Sequence, residues 1–325
     1  MTTFGDIVRQ LGGVPVGSMG SGGIGLAGGN VFFVNGADGL AGNGGNKPDE
    51  AKATLTQGYD MTSSNNNDIV VLVGDSSGVQ VGASTDTSAL AWANNYTHLI
   101  GACAPTAYGK RARLFHNFNA SPILTISGSG CSFENFYFSH GRGSTTNKIG
   151  ANVTGDYNYF GNVHFNGPSH ATDGNQTSYS TVTLDGASAT TFDRCVFGTN
   201  STLRGNGATS LTMTGTDTVG QIWIRDCEFI SRASNAGATH IEIGATVGLV
   251  IMENVVFINE GTTMTQAIDS NITDTTYRKI VFKGLPPFCI GATDFADGTG
   301  DGTLWVYNPT TTQNIMCLGT NPAVA

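Results

Sequence analysis

Asp193 and Arg194, then Arg225, Asp226 and Glu228, then Glu253 with Asn254 form the densest run of acids and bases in this chain, recurring at spacings of 32 and 28 residues. Carboxylates so gathered could hold calcium while a basic side chain removes a proton from the carbon next to a uronate carboxylate. The same spacing has a plainer reading. If the segments stack, Asp193, Arg225 and Glu253 fall in one line and Arg194, Asp226 and Asn254 in the next, and alternating signs are how a solvated surface avoids like-charge neighbours. The plainer reading is preferred. His140, His164 and His170 offer no His-x-His or His-Glu-x-x-His spacing, and no Cys-x-x-Cys pair is present, so neither a metal nor a cofactor is expected. Tyr137, Tyr157, Tyr159, Tyr179 and Trp223 could stack against sugars, with Trp223 facing outward between Ile222 and Ile224.

The elements that would carry these residues are written as a repeat. An apolar residue is followed five positions later by phenylalanine at Phe133 to Phe138, Phe160 to Phe165, Phe192 to Phe197, Ile224 to Phe229, Met252 to Phe257 and Tyr277 to Phe282. The final phenylalanines are 27, 32, 32, 28 and 25 residues apart, a period of stacked solenoids. Between them Phe136, Val163, Cys195, Cys227, Val255 and Ile280 complete a period-two alternation, the mark of strands that bury one face. A second line runs upstream through Leu124-Thr125-Ile126, Ala151-Asn152-Val153, Val182-Thr183-Leu184, Leu211-Thr212-Met213 and Ile241-Glu242-Ile243, polar at each centre, with spacings of 27, 31, 29 and 30. Strands so spaced can pair only with their counterparts one coil up and one coil down, which predicts an all-β, single-stranded parallel β-helix. A propeller would need longer repeats and more tryptophan than the three present, and a leucine-rich repeat more leucine.

Composition agrees. Charged residues are 12% of the chain, against roughly 25% in ordinary globular domains, so the surface is polar through Ser, Thr and Asn. A net charge of −9 without a basic cluster excludes nucleic acid and anionic membranes as expected partners. No run approaches the length of a membrane span, and the first residues, with Asp6 and Arg9, do not read as a signal peptide. Cys195 and Cys227 share one repeat position and are expected as buried free thiols.

Four parts follow along the chain. Residues 1–30 read as an attachment arm: Phe4, Ile7, Val8 and Leu11 make an apolar stripe at helical spacing, followed by a tether containing Gly20, Gly22, Gly23, Gly25, Gly28 and Gly29. Residues 31–74 read as the entrance of the solenoid. Val31-Phe32-Phe33-Val34 is followed by a Gly/Asn loop, by a short amphipathic helix opening at Pro48-Asp49-Glu50 with Ala51, Leu55 and Tyr59 on one side, and by the strand Ile69-Val70-Val71-Leu72-Val73. Residues 75–283 are the coils. Residues 284–325 leave the repeat at Leu285-Pro286-Pro287, and Leu304-Trp305-Val306-Tyr307 is an apolar strand expected to cap the last coil or join copies together.

The entrance and ladder resemble those of pectate-lyase-like right-handed β-helices, over roughly residues 31–290. That resemblance implies the fold and a capping helix but leaves function open, because the same architecture serves polysaccharide lyases, glycoside hydrolases, phage tailspikes and non-catalytic phage head proteins. The stretch Phe4-Gly5-Asp6-Ile7-Val8-Arg9-Gln10-Leu11-Gly12-Gly13 resembles the leading peptide of tailed-phage virion proteins. The polygalacturonase-like motifs Asn-Thr-Asp, Asp-Asp, Gly-His-Gly and Arg-Ile-Lys are missing; the nearest fragments are Ser139-His140-Gly141-Arg142-Gly143 and Asn271-Ile272-Thr273-Asp274. These resemblances imply a non-catalytic virion protein, a capsid decoration or head spike that assembles as a homotrimer, contacts capsid or other virion proteins through Phe4, Ile7, Val8 and Leu11, and has no catalytic residue. The alternatives are a receptor-binding tailspike that depolymerises polysaccharide and a carbohydrate-binding module that contacts a host-surface glycan.

Overall fold

The computed structural model describes residues 29–317 except 75–78, 81–88, 116–120, 141–142, 144, 147, 216–219, 245–246, 271–278, 285–286, 297–303 and 308–315. The chain winds as a right-handed parallel β-helix, each coil laying one strand in each of three sheets of eleven, eight and eight strands. One coil shows the order: Ser132–Glu134 in the first sheet, Tyr137–His140 in the second and Ile149–Val153 in the third. Described strands pair in parallel with their neighbours one coil away, apart from an antiparallel end strand, Met316–Cys317, on Leu304–Tyr307.

The interior is built from ladders. In the second sheet Phe138, Phe165, Phe197, Phe229 and Phe257 stand in register and are buried, with ring centroids 4.6 Å apart between Phe197 and Phe229 and 5.2 Å between Phe229 and Phe257. In the first sheet Phe133, Phe160, Phe192, Ile224 and Met252 form the parallel ladder, and Phe282 joins this one, opposite Met252. That corrects the sequence register: the place beside Phe257 belongs to Cys289, and Ile280 pairs with Val250. Lys279–Lys283 satisfies the apolar-then-phenylalanine spacing with a first-sheet strand, so the phrase slips by one sheet in the last repeat. The stack also continues past Pro287, with Phe288–Ile290 and Ala292–Ala296 extending the second and third sheets.

A sharp bend joins the first sheet to the second. Its pivot residue is left-handed in each successive coil, at Asn135, Asn162, Arg194, Asp226 and Asn254, with φ between 50° and 57°. Asn and Asp tolerate this conformation better than other non-glycine residues because their side chains bond locally. Here they also bond along the stack, Asn162 Nδ2 to Asn135 Oδ1 at 2.9 Å and Asn254 Nδ2 to Asp226 Oδ1 at 3.0 Å. The following residue turns inward, and there Cys195 and Cys227 are buried and free as expected, Cys195 N donating to Cys227 Sγ at 3.4 Å.

At the entrance, Val31–Val34 pairs with Ile69–Val73, and the single helix expected from Pro48 is two pieces, a 3-10 turn Pro48–Glu50 and an α-helix Leu55–Tyr59. Thr54 Oγ1 accepts from Gln57 N and starts the second piece, a capping signal that lies just past the acids of the first. Leu55 and Tyr59 close the apolar end of the stack, and a Cβ on Gly58 would come within 2.3 Å of Val34 Cγ2, so only glycine lets the helix lie this close. The Tyr59 hydroxyl accepts from Ala93 N and Asn94 N while its ring lies 4.6 Å from Trp92.

Candidate functional site

On the outer face of the first sheet Glu134, Gly161, Asp193, Arg225, Glu253 and Lys283 occupy one ladder. Asp193, Arg225 and Glu253 therefore align as the sequence spacing indicates, with Arg194, Asp226 and Asn254 at the adjoining bend. Asp193 accepts from the Tyr159 hydroxyl at 2.7 Å, from Arg194 Nη2 at 3.1 Å and from Arg225 Nε at 2.9 Å. Burial alone would push its carboxyl up, but the Arg225 and Tyr159 hydrogen bonds and the two guanidinium charges together hold it below the ordinary carboxylate value. A carboxylate so fully engaged is a poor base and a good cross-link. Glu134, bonded by Ser132 Oγ at 2.6 Å, is raised by burial against that hydrogen bond. Glu228 lies across the bend on the second sheet, where the Tyr108 hydroxyl donates to it.

The third sheet carries a different outer face. Thr125, Asn152, Thr183, Thr212, Glu242 and Asp269 stand in one ladder, each between buried neighbours; Thr183 is itself buried and the other five are partly exposed, so the polar stripe is interrupted at Thr183 and ends in two acids. Glu242 and Asp269 are opposite one another on adjacent coils, a spacing of about 4.8 Å between strand backbones. Both are partly exposed. Burial first and the Asp269 charge second push the Glu242 carboxyl above its usual range. A retaining glycosidase uses one carboxyl kept protonated as the acid beside a second that acts as the nucleophile, and a raised Glu242 in register with Asp269 supplies two acids of that kind on one face. The sequence line shows Glu242 as one more polar centre; Asp269 escapes it because Ile268-Asp269-Ser270 lacks the second apolar flank.

Other sequence candidates scatter. His140 is buried against the Tyr179 ring, His164 contacts Gly198 O at 3.0 Å and accepts from Gly109 N at 3.4 Å, and His170 caps the short helix Ala171–Gly174 through Thr172 N. Tyr179, expected as an exposed sugar platform, is fully buried, because it precedes the third-sheet strand on the inward side of the corner. Trp223 is outward as expected and carries Lys283 Nζ 5.6 Å over its ring. Among the described residues no group of three or more His, Cys, Asp or Glu is placed to hold a metal. Phe4, Ile7, Val8 and Leu11 lie outside the described residues. Leu304–Tyr307 extends the first sheet beside Lys279–Lys283.

No family model matches the chain and no curated relative matches its sequence. Solved structures do match its fold. The chain is similar to the pectate lyase Pel9A, at TM-score 0.57 and 12% identity over 86% of this chain and 68% of that one. It is similar to a pectin methylesterase solved as a point mutant in complex with a hexasaccharide, at 0.51 and 14% over 82% and 88%, and to the pectin methylesterase of Aspergillus niger, at 0.52 and 12% over 87% and 82%. This corrects the non-enzyme expectation. That expectation rests on missing short motifs, yet the fold is shared with polysaccharide-acting enzymes at identities where such motifs need not persist, so their absence does not count against catalysis.

Proposed function

We propose that this protein binds an extended polysaccharide along the outer face of the third sheet and cleaves it there, as a receptor-binding depolymerase of the tailspike type. The observation that carries the reading is the Glu242–Asp269 pair at the end of the Thr125–Thr212 polar stripe, with the Glu242 pKa raised beside an acid one coil away. The likeness to a pectate lyase and two pectin methylesterases supports the substrate class. Successive coils repeat hydroxyl and amide groups along the stripe, which suits the repeating hydroxyls of a glycan chain.

In the proposed reaction Asp269 attacks the anomeric carbon while Glu242 gives its proton to the departing glycosidic oxygen. Water then displaces the Asp269 ester, with Glu242 taking the water's proton, so both carboxyls are restored and the anomeric configuration is retained. The purified chain should release reducing ends from at least one of a panel of acidic and neutral polysaccharides, with the first-formed product retaining configuration by NMR. Release unchanged in the Glu242→Gln, Asp269→Asn double variant would refute the assignment.

The virion setting rests on the likeness of residues 4–13 to phage leading peptides. On this reading residues 1–30 attach the rod, and a chain beginning at Val31 keeps its β-rich circular dichroism but fails to join particles; normal incorporation of that shortened chain would remove the arm's role.

A further inference from the structure

The corner that carries the chain from the third sheet into the first repeats one backbone shape. Tyr96, Gly130, Tyr157 and Ala189 occupy it in successive coils, all left-handed, at φ 51°, 68°, 59° and 52°. The first three donate their N–H groups one coil onward, to Ser129 O, Asp156 O and Ser188 O. Glycine takes this conformation without steric cost, as Gly130 does, whereas a residue with a Cβ is strained in it and a bulky one is an outlier. At the bend between the first and second sheets Asn and Asp ease the same strain with hydrogen bonds along the stack. An exposed tyrosine ring has no such compensation.

Burial does not offset the strain at Tyr157, which is 71% exposed; Tyr96 is 50% exposed. Tyr96 lays its ring along the stack, because a Cβ on Gly130 would meet Tyr96 Cε1 at 2.6 Å and Cδ1 at 2.8 Å, so the ring rests on the bare backbone of the next coil. Tyr157 follows one coil later, roughly 10 Å along the axis from the Tyr96 backbone. Its neighbours on this corner are Gly130 and Ala189, neither carrying more than a methyl group. Ser127 and Thr154, which follow the third-sheet strands Leu124–Ile126 and Ile149–Val153 on the approach to the corner, are exposed. A protein interface presents a contiguous apolar patch. Separate rings among hydroxyls suit a sugar instead, whose ring offers C–H groups on one face and hydroxyls at its rim.

We propose that Tyr157 and Tyr96 are stacking platforms for a polysaccharide chain lying along the third-sheet face, on the side of Glu242 that leads to the solenoid entrance. The strand that leads into Tyr157 carries Asn152, three coils from Glu242 through Thr183 and Thr212, or roughly 14 Å. The platforms therefore grip sugar units remote from the acid pair and favour long chains over short ones. This inference rests on the polysaccharide reading of that face and adds the residues that hold the chain.

Native gels containing polygalacturonate, xylan or dextran test it, run with the full chain carrying Glu242→Gln and Asp269→Asn so that cleavage does not intervene. At least one polysaccharide should retard this protein. Adding Tyr157→Gly should weaken the affinity read from the retardation about fivefold, and Tyr157→Trp should keep it. Because glycine is unstrained at this φ, Tyr157→Gly should leave the urea midpoint unchanged or raised, which separates a ring kept for a ligand from one kept for the fold. Retardation that depends on Tyr157 upholds the proposal even where the parent chain releases no reducing ends, an outcome that ends only the acid-pair mechanism. No retardation in any of the three gels, equal retardation with and without the Tyr157 ring, or a lowered urea midpoint in Tyr157→Gly would overturn it.

Discussion

Arg225 Nε donates to Asp193 Oδ1 at 2.9 Å across one coil boundary while the Tyr159 hydroxyl donates to Oδ2 at 2.7 Å from the coil on the other side. One carboxylate thus ties its own coil to the coils on both sides. Arg225 keeps 39% of its side chain exposed, so solvent screens the pair. The coupling energy from an Asp193→Asn, Arg225→Gln double-mutant cycle should be about 1 kcal/mol. Because the folded Asp193 pKa is depressed, that contribution is present above the unfolded value of about 3.9 and lost as pH falls through the folded value. Coupling that persists in strong acid would contradict this account.

The Phe197 ring is stacked between Phe165, 5.1 Å away, and Phe229, 4.6 Å away, with no exposed surface. Phe197→Ala should lower unfolding free energy by about 3 to 5 kcal/mol, since neighbouring coils cannot collapse into the space without breaking register. Phe288, 55% exposed on the last second-sheet strand, should change stability by about 0.5 kcal/mol or less when truncated. Urea unfolding of both variants tests the contrast, and similar losses in the two would show that the ladder is not what holds the coils together.

The ladders were legible because burial on one face of a strand imposes period two, and stacking imposes a constant coil length. Phe138 to Phe257, the inward Cys195 and Cys227, and the Asp193–Arg225–Glu253 line follow from those two rules, but the left-handed bend that divides each phrase between two sheets does not, since the alternation reads as one continuous strand. The rules fail where a coil changes length or register. Phe282 keeps the spacing while moving to another sheet, and Arg204 turns inward through an irregularity that no charge pattern marks. Asp269 is hidden because its strand, Met264–Ser270, ends in Ser270 where earlier copies have an apolar residue. Pairing of Glu242 with Asp269 depends on register between coils, which one strand's sequence does not state.

Three buried histidines set the acid limit of the fold. Burial lowers the pKa of His98 and His164 to about 4 and, with the Arg204 charge, that of His240 to about 3. Each is neutral when folded and binds a proton when unfolded, so the contribution is present above the unfolded value of about 6.5 and is lost as pH falls towards the folded values. At about 1.36 kcal/mol per pH unit these lowered values correspond to at most about 3.5 kcal/mol each for His98 and His164 and about 5 kcal/mol for His240. Stability should decline from about pH 6.5 down to about pH 4, and His240→Leu should flatten the decline. Urea midpoints that stay constant over that window would rule the mechanism out.

Glu242 should show the opposite sign. Its folded pKa is raised, by burial and then by Asp269, so its favourable contribution is complete below the unfolded value of about 4.3 and is lost as pH rises through the folded value. At neutral pH the folded chain therefore bears the cost of two acids held side by side on adjacent coils. Glu242→Gln removes that repulsion and should stabilise the protein by about 0.5 kcal/mol at neutral pH, screened by the partial exposure of both groups, with the gain vanishing in acid and shrinking in high salt. The same substitution removes the proton donor and should reduce polysaccharide cleavage by about a hundredfold or more. Stability that rises while cleavage falls distinguishes a working acid pair from surface decoration. A Glu242→Gln variant that is less stable at neutral pH, or that cleaves as well as the parent, would show that the pair does not play this role.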